Sequence, residues 1–222
     1  MKSLRELFRI GPGPSSSHTM GPQRAALELI RRAPHADHYH VTLYGSLALT
    51  GKGHLTDVII EKTFSPKPCV ITMNVNETMA HPNTMQLSAY DAQDQLLCAM
   101  TVYSVGGGAI EIEGETSTEG KDIYPHRSLD GILRYCEEKQ IDLVRYVDEV
   151  EGEAINDYLN DILIQMCKTV DTGLNTAGIL PGRLKMERIA RSLLSEAITC
   201  EGTEKEKLLQ SAYAYAASEE NA

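Results

Sequence analysis

An α+β fold is predicted: an N-terminal mixed α/β domain with a largely antiparallel sheet, followed by an all-helical C-terminal segment. Two observations predict it. Three stretches of period about two, Val70 to Val75, Met85 to Tyr90 and Leu96 to Val105, follow one another as the strands of an antiparallel sheet do. From Glu151 onward no strand signal remains and only helical spacing is left. With 222 residues and 42% hydrophobic side chains, the chain can fill a core without disulfide staples. The change of pattern near residue 150 sets the expected boundary, with a mixed domain over 1–150 and a helical region over 151–222.

The elements follow in order. Ser3 to Ile10 reads as a short helix with Ser3 as N-cap and Glu6 completing a capping box, ended by Gly11-Pro12-Gly13-Pro14. Ala25, Ala26, Leu29 and Ile30 share one face of a second helix that stops before Pro34. Tyr39 to Gly45 is β-favouring, small residues and a glycine-rich loop follow, and a new helix starts near Thr56-Asp57. After the three alternating strands, Gly106-Gly107-Gly108 interrupts and Ala109 to Glu113 pairs back. A polar loop then runs to Tyr124-Pro125, and Ser128 to Gln140 is an amphipathic helix. Ile155, Leu159, Ile162, Met166 and Val170 form an apolar stripe ending before Gly173. Ile179 to Gly182 is a turn, and Met186 to Ile198 and Lys205 to Ala217 are helical. With no tryptophan and two phenylalanines, the core is expected to be aliphatic.

Composition excludes several functions. A net charge of −10 has the wrong sign for a nucleic-acid or anionic-membrane binder. No stretch reaches the roughly 18 apolar residues of a membrane span, and Lys2, Arg5, Glu6 and Arg9 fall where a signal peptide needs an apolar run. A cytoplasmic protein is expected. Cys69, Cys98, Cys136, Cys167 and Cys200 lie about thirty residues apart with no CxxC pair, so they read as reduced thiols packed in the interior, and no metal site is expected within the chain.

Three stretches can carry chemistry. In Gly11 to Pro22, prolines fix a loop, and Ser15, Ser16, Ser17, His18 and Thr19 face a helix start where the dipole favours a carboxylate or phosphate. The serines read equally as N-caps and the Gly-Pro loop as a linker. There is no Gly-Lys-Ser/Thr ending, which disfavours ATP. In Leu43 to Asp57, Lys52 and His54 stand among glycines between a strand and a helix, where a catalytic base is often displayed, or where a solvated lysine and a structural histidine would also fit. His81, and Ser104 ahead of Gly106, Gly107 and Gly108, form the third; the triple glycine either exposes N–H donors to a ligand or makes a bulge. GxSxG, HExxH and Rossmann fingerprints are absent.

Gly-Pro-Ser-Ser-Ser-His-Thr at 13–19, Leu-Tyr-Gly-Ser-Leu-Ala-Leu-Thr-Gly-Lys-Gly-His at 43–54, Tyr-Ser-Val-Gly-Gly-Gly at 103–108 and Asn-Thr-Ala-Gly-Ile-Leu-Pro-Gly at 175–182 resemble the iron–sulfur-dependent L-serine dehydratases, or L-serine ammonia-lyases. Residues 1 to about 150 resemble that family's β domain, and 151 to 222 the opening helices of its α, catalytic domain. The resemblance implies conversion of L-serine to pyruvate and ammonia in amino-acid degradation and gluconeogenesis. It also implies a [4Fe-4S] cluster acting as Lewis acid toward the substrate hydroxyl, without pyridoxal phosphate, and a homo-oligomer. By matching positions, His54, His18 and Lys52 are implied as acid–base groups, and Ser16, Ser17, Thr19, His81, Ser104, Gly106, Gly107 and Gly108 as the substrate pocket. The family's cluster cysteines belong to a later part of the α domain, so the ligands are expected outside this chain. They would lie in the remainder of the α domain or on a separate α chain, without which the chain is expected to be inactive. Resemblance of the same β domain to the allosteric domains of some phosphoglycerate dehydrogenases implies an alternative, a non-catalytic amino-acid-binding regulatory module.

Overall fold

The computed structural model describes residues 1–116, 120–181 and 185–221. Gly182, and residues 117–119 of the polar loop, lie outside the described residues. The fold is α+β, a five-stranded mixed sheet with helices followed by C-terminal helices. The chain divides into two compact units, one combining Met1–Ile10 with Thr118–Cys167, the other Gly11–Ser117 with Lys168–Ala222.

The larger unit holds the sheet. Its strands are β1 (His38–Tyr44), β2 (Cys69–Asn74), β3 (Thr84–Tyr90), β4 (Leu96–Gly106) and β5 (Ala109–Ile112), in the spatial order β2-β1-β3-β4-β5. β3, β4 and β5 form the expected antiparallel meander, and β3 also pairs antiparallel with β1. β2 instead runs parallel to β1, from Tyr39 opposite Cys69 to Tyr44 opposite Asn74. A parallel neighbour needs a crossover. Two helices supply it: α3 (Gly45–Thr50), over the small residues to which the sequence reading gave no element, and α4 (Thr56–Phe64).

Alternation in β1 turns Tyr39, Val41 and Leu43 inward, where Met85 and Leu87 of β3 and Val102 of β4 join them. Helix α2 (Gly21–Arg32) adds Ala25, Ala26 and Leu29, and α4 adds Ile60 and Phe64. Burying each Leu or Ile side chain contributes about 1.5–3 kcal/mol. The core is aliphatic apart from Tyr39 and Phe64, whose rings stack at 4.0 Å. All five cysteines are free thiols; Cys136 is buried but Cys167 is exposed, so interior packing does not account for every one. Burial and then the nearby Glu61 carboxylate push the Cys69 thiol up to about 12.

The smaller unit contains α1 (Leu4–Leu7), α5 (Leu129–Lys139) and α6 (Leu143–Glu151) around Tyr124, Cys136 and Tyr146. Helix α1 is shorter than the sequence suggested because Phe8 is already extended. Ser3 caps it by accepting from the Arg5 amide, while the Glu6 carboxylate accepts from Arg9. Glu151 receives hydrogen bonds from Ser3 Oγ at 2.5 Å, the Leu4 amide at 2.6 Å and Tyr124 Oη at 2.8 Å.

Helix α7 (Ala154–Asn175) carries the expected stripe, with Ile155 and Ile162 buried and Met166 exposed. It runs through Gly173 instead of stopping there. A Cβ at Gly173 would lie 1.9 Å from the Ser218 carbonyl oxygen, so the glycine serves close helix packing. Helices α8 (Ala190–Thr199) and α9 (Glu204–Asn221) follow. An isolated antiparallel bridge between Ile179 and Glu187 is the extended pairing recorded in this segment among the described residues.

Candidate functional site

The first motif folds as a single π-helical turn, Ser16–Met20, running into α2. Ser15 is extended; its carbonyl accepts from the Thr19 amide at 2.8 Å and its hydroxyl from the His18 amide at 3.3 Å. Pro22 starts α2 at little cost, since the first turn of a helix has no use for its missing N–H. The wider π turn sends His18 and Thr19 inward and leaves Ser16 exposed and Ser17 half-buried. Local π turns of this kind occur often at functional sites.

The second motif closes over the first. Gly45 has φ +52°, and a Cβ there would meet the Pro82 carbonyl oxygen at 2.4 Å. That close approach lets the Ser46 amide donate to the same carbonyl at 2.7 Å. The turn after α3 brings His54 to His18, with ring centroids 4.6 Å apart and planes 35° from parallel. Two threonines interlock the loops: Thr56 Oγ1 donates to the His18 carbonyl at 2.6 Å, and Thr19 Oγ1 to the His54 carbonyl at 3.5 Å.

The imidazoles differ in their partners. His54 Nδ1 lies 3.1 Å from the Thr50 carbonyl oxygen. A carbonyl only accepts, so Nδ1 carries the proton and Nε2 the lone pair. His81 is the reverse, because its Nδ1 accepts from the Asn83 amide at 3.1 Å and a neutral ring then bears its proton on Nε2. His18 faces Ser17 Oγ at 3.0 Å through Nδ1 and Ser46 Oγ at 3.1 Å through Nε2.

The third stretch buttresses these turns. Ser104 is fully buried and donates through Oγ to the Ser17 carbonyl at 2.9 Å, while its amide donates to the Asn83 carbonyl at 3.0 Å. Asn83 Nδ2 returns a bond to the Ser104 carbonyl at 3.4 Å. The His81 ring lies 5.8 Å from that of Tyr103, and Arg24 Nη1 donates to the Gly108 carbonyl at 2.8 Å. The structure thus gathers His18, His54, Ser17, Thr19 and Ser104 into one bonded network. Lys52 is exposed on the Gly51–Leu55 turn and enters none of these contacts. Gly106 ends β4, and Gly107, which is exposed, follows it in the turn to β5. Sequence reasoning passed over Ser46, Thr50, Thr56 and Asn83. Ser46 stands directly after Gly45, the glycine that ends the strand pattern, which is the local signal that could have singled it out.

Burial, and then the neighbouring His54, lower the pKa of His18 below the usual 6.5. Between the native and the unfolded pKa the unfolded chain binds more protons, so stability contributed by neutral His18 is present above pH 6.5 and is lost as pH falls toward the native value. NMR titration of His18 should therefore give a midpoint below 6.5, and His18→Gln should flatten the acid limb of the stability profile. A midpoint at or above 6.5 contradicts this.

A lone pair on a fixed imidazole with hydroxyls beside it can hydrogen-bond a small polar molecule and accept a proton. The described residues do not fit an iron–sulfur cluster: they contain no group of three or more His, Cys, Asp and Glu side chains able to hold a metal, and burial keeps Cys69 protonated. No helix among them is long and apolar enough to cross a membrane.

Comparison with known proteins places these motifs. The "Serine dehydratase beta chain" family matches residues 3–61 and 59–115. An L-serine dehydratase of Haemophilus influenzae is 29% identical over 87% of this chain and 54% of its own length. The L-serine dehydratase TdcG of Escherichia coli is 31% identical over 100% of this chain and 61% of its own, and an L-serine dehydratase of Streptomyces coelicolor 30% identical over 99% and 60%. The chain spans about half the length of the curated relatives it matches. The π turn with His18, the Gly45–His54 segment and the β-strands all fall inside the matched stretch, and on that match the chain belongs to the serine dehydratase beta chain family.

Proposed function

We propose that this chain is the substrate-holding component of an L-serine ammonia-lyase, taking L-serine toward pyruvate and ammonia. The observation that carries the reading is the His18–His54 pair, 4.6 Å apart on two turns, with His54 held as the Nδ1–H tautomer. His54 Nε2 is the base for the α-proton, and His18 orients or carries protons beside it. Ser16, Ser17 and the amides of Gly106 to Gly108 hold the carboxylate, with His81 donating from Nε2. Thr19 and Ser104 keep the turns in register, and Lys52 supplies a mobile cation at the rim.

The cluster implied by this family has no ligand set among the described residues, so the reading assigns it to the remainder of an α domain or to a separate α chain. Residues 1–150 are the β-type domain in this proposal and 151–222 the start of the α-type region. The protein acts in the cytoplasm as a homo-oligomer without pyridoxal phosphate, nucleic acid or membrane. Calorimetry with L-serine on the chain, and pyruvate formation after adding a chain that carries cluster cysteines, test the proposal together. Serine binding followed by restored pyruvate formation is expected. Tight binding with no pyruvate under any complementation would replace the reading with a non-catalytic amino-acid-binding module, and absence of binding would overturn both.

A further inference from the structure

A neutral imidazole has one N–H and one lone pair, and a partner that can only accept or only donate selects its tautomer. A carbonyl does this for His54 and a backbone amide for His81. His18 meets a hydroxyl at both nitrogens, Ser17 Oγ at 3.0 Å and Ser46 Oγ at 3.1 Å. A hydroxyl donates or accepts by rotating, so each tautomer of His18 finds a partner at both nitrogens, while the Ser46 backbone adds a contact that favours protonation of the ring. The chain of hydroxyls continues outward, with Ser15 Oγ 3.4 Å from Ser17 Oγ and 3.5 Å from His18 Nδ1. On the other side of the ring Ser46 is fixed by the hydrogen bond its amide donates to the Pro82 carbonyl and by the left-handed Gly45 before it.

We propose that Ser46 and Ser17 make His18 a two-way proton relay, with Ser46 Oγ handing protons to and from His18 Nε2 and keeping both tautomers accessible. The step balances. Ser46 Oγ accepts a proton from a bound molecule as its own proton passes to His18 Nε2. The His18 Nδ1–H bond breaks in the same movement, its proton going to Ser17 Oγ, whose own proton leaves to solvent directly or by way of Ser15 Oγ, which releases its own proton to solvent as it accepts. The three hydroxyls and the ring end neutral, the bound molecule has lost one proton and solvent has gained one, and the imidazole is left in its other tautomer. Rotation of the hydroxyls and the reverse transfer reset it. The relay never requires an imidazolium at His18, which its burial disfavours. Only the identity of the proton source rests on the reading of the site as a serine site; the exchange between tautomers does not.

The test is nitrogen-15 NMR of the full chain, labelled at histidine, above pH 7 and without ligand. In the parent protein both ring nitrogens of His18 are expected at shifts intermediate between protonated and unprotonated nitrogen. Ser46→Ala leaves Nε2 without its hydroxyl. Because a buried orphan N–H is less tolerated than an orphan acceptor, His18 should then collapse to the Nδ1–H form donating to Ser17. Ser17→Ala should give the opposite tautomer, and Ser46→Thr should restore intermediate shifts. His54 should remain Nδ1–H throughout. A single tautomer in the parent, or shifts that neither alanine variant moves, overturns the relay. If Ser46→Ala unfolds, the Ser17→Ala and Ser46→Thr spectra decide. Failure of L-serine to bind would sink the proposed activity and leave these spectra unchanged, so the two ideas fail separately.

Discussion

Replacing His54 with alanine is expected to lower serine turnover by about a hundredfold or more, the usual contribution of a positioned general base. The measurement is pyruvate formation by the chain complemented with a cluster-bearing partner. The loss should fall on kcat, with serine affinity close to that of the parent, because removing a proton acceptor affects the transition state more than the bound ground state. His54→Gln sharpens the test. Its amide nitrogen can keep the bond to the Thr50 carbonyl and preserve the turn, yet it has no basic nitrogen to offer. Turnover near normal in both variants would transfer the base to another group; a loss in alanine that glutamine repairs would make His54 a structural post.

Gly45→Ala is expected to destabilise the larger unit by about 2–5 kcal/mol, from roughly 1–2 for a non-glycine residue in left-handed geometry and about 1–3 for the clash. The added carbon would stand 2.4 Å from the Pro82 carbonyl oxygen and 3.1 Å from its carbon, both backbone atoms that cannot swing aside. Denaturant unfolding should show a lower midpoint with an unchanged slope. Because Ser46 follows directly, the His18 environment should shift in the same variant. Gly13→Ala is the control, since a Cβ there meets nothing within 4 Å, and its stability should change by less than about 0.5 kcal/mol. Equal stability of Gly45→Ala and the parent would show that the turn relaxes without cost.

Elements written in local pattern were legible. The alternation at Met85 to Tyr90 and Leu96 to Val105 needs only one buried face to register, and it placed β3 and β4 within a residue or two of where they lie. Helix α6 was not foreseen. The break before it is made by Gln140 at φ +52°, where sequence reading looks for glycine, so α5 and α6 lacked the usual punctuation. Gly173 failed in the other direction: its composition suggested an end, while the approach of Ser218 required a residue without Cβ inside a continuous helix.

The candidate site divides the same way. Residue types and phrases were enough to bring His18, His54 and the serine-rich turn under one heading, and to separate them from the dispersed cysteines. Which nitrogen of each ring holds a proton was decided by groups elsewhere in the fold. Ser46 reaches His18 across 28 positions and Thr56 reaches its carbonyl across 38. The parallel pairing of β1 with β2 was equally hidden, because hydrogen bonds between strands use the backbone that every residue shares. By itself, then, the sequence determined the strands, the aliphatic core and the family. Tertiary structure decided the order of the sheet and the chemistry of the imidazoles, since strand neighbours and proton positions depend on partners that local spacing does not specify.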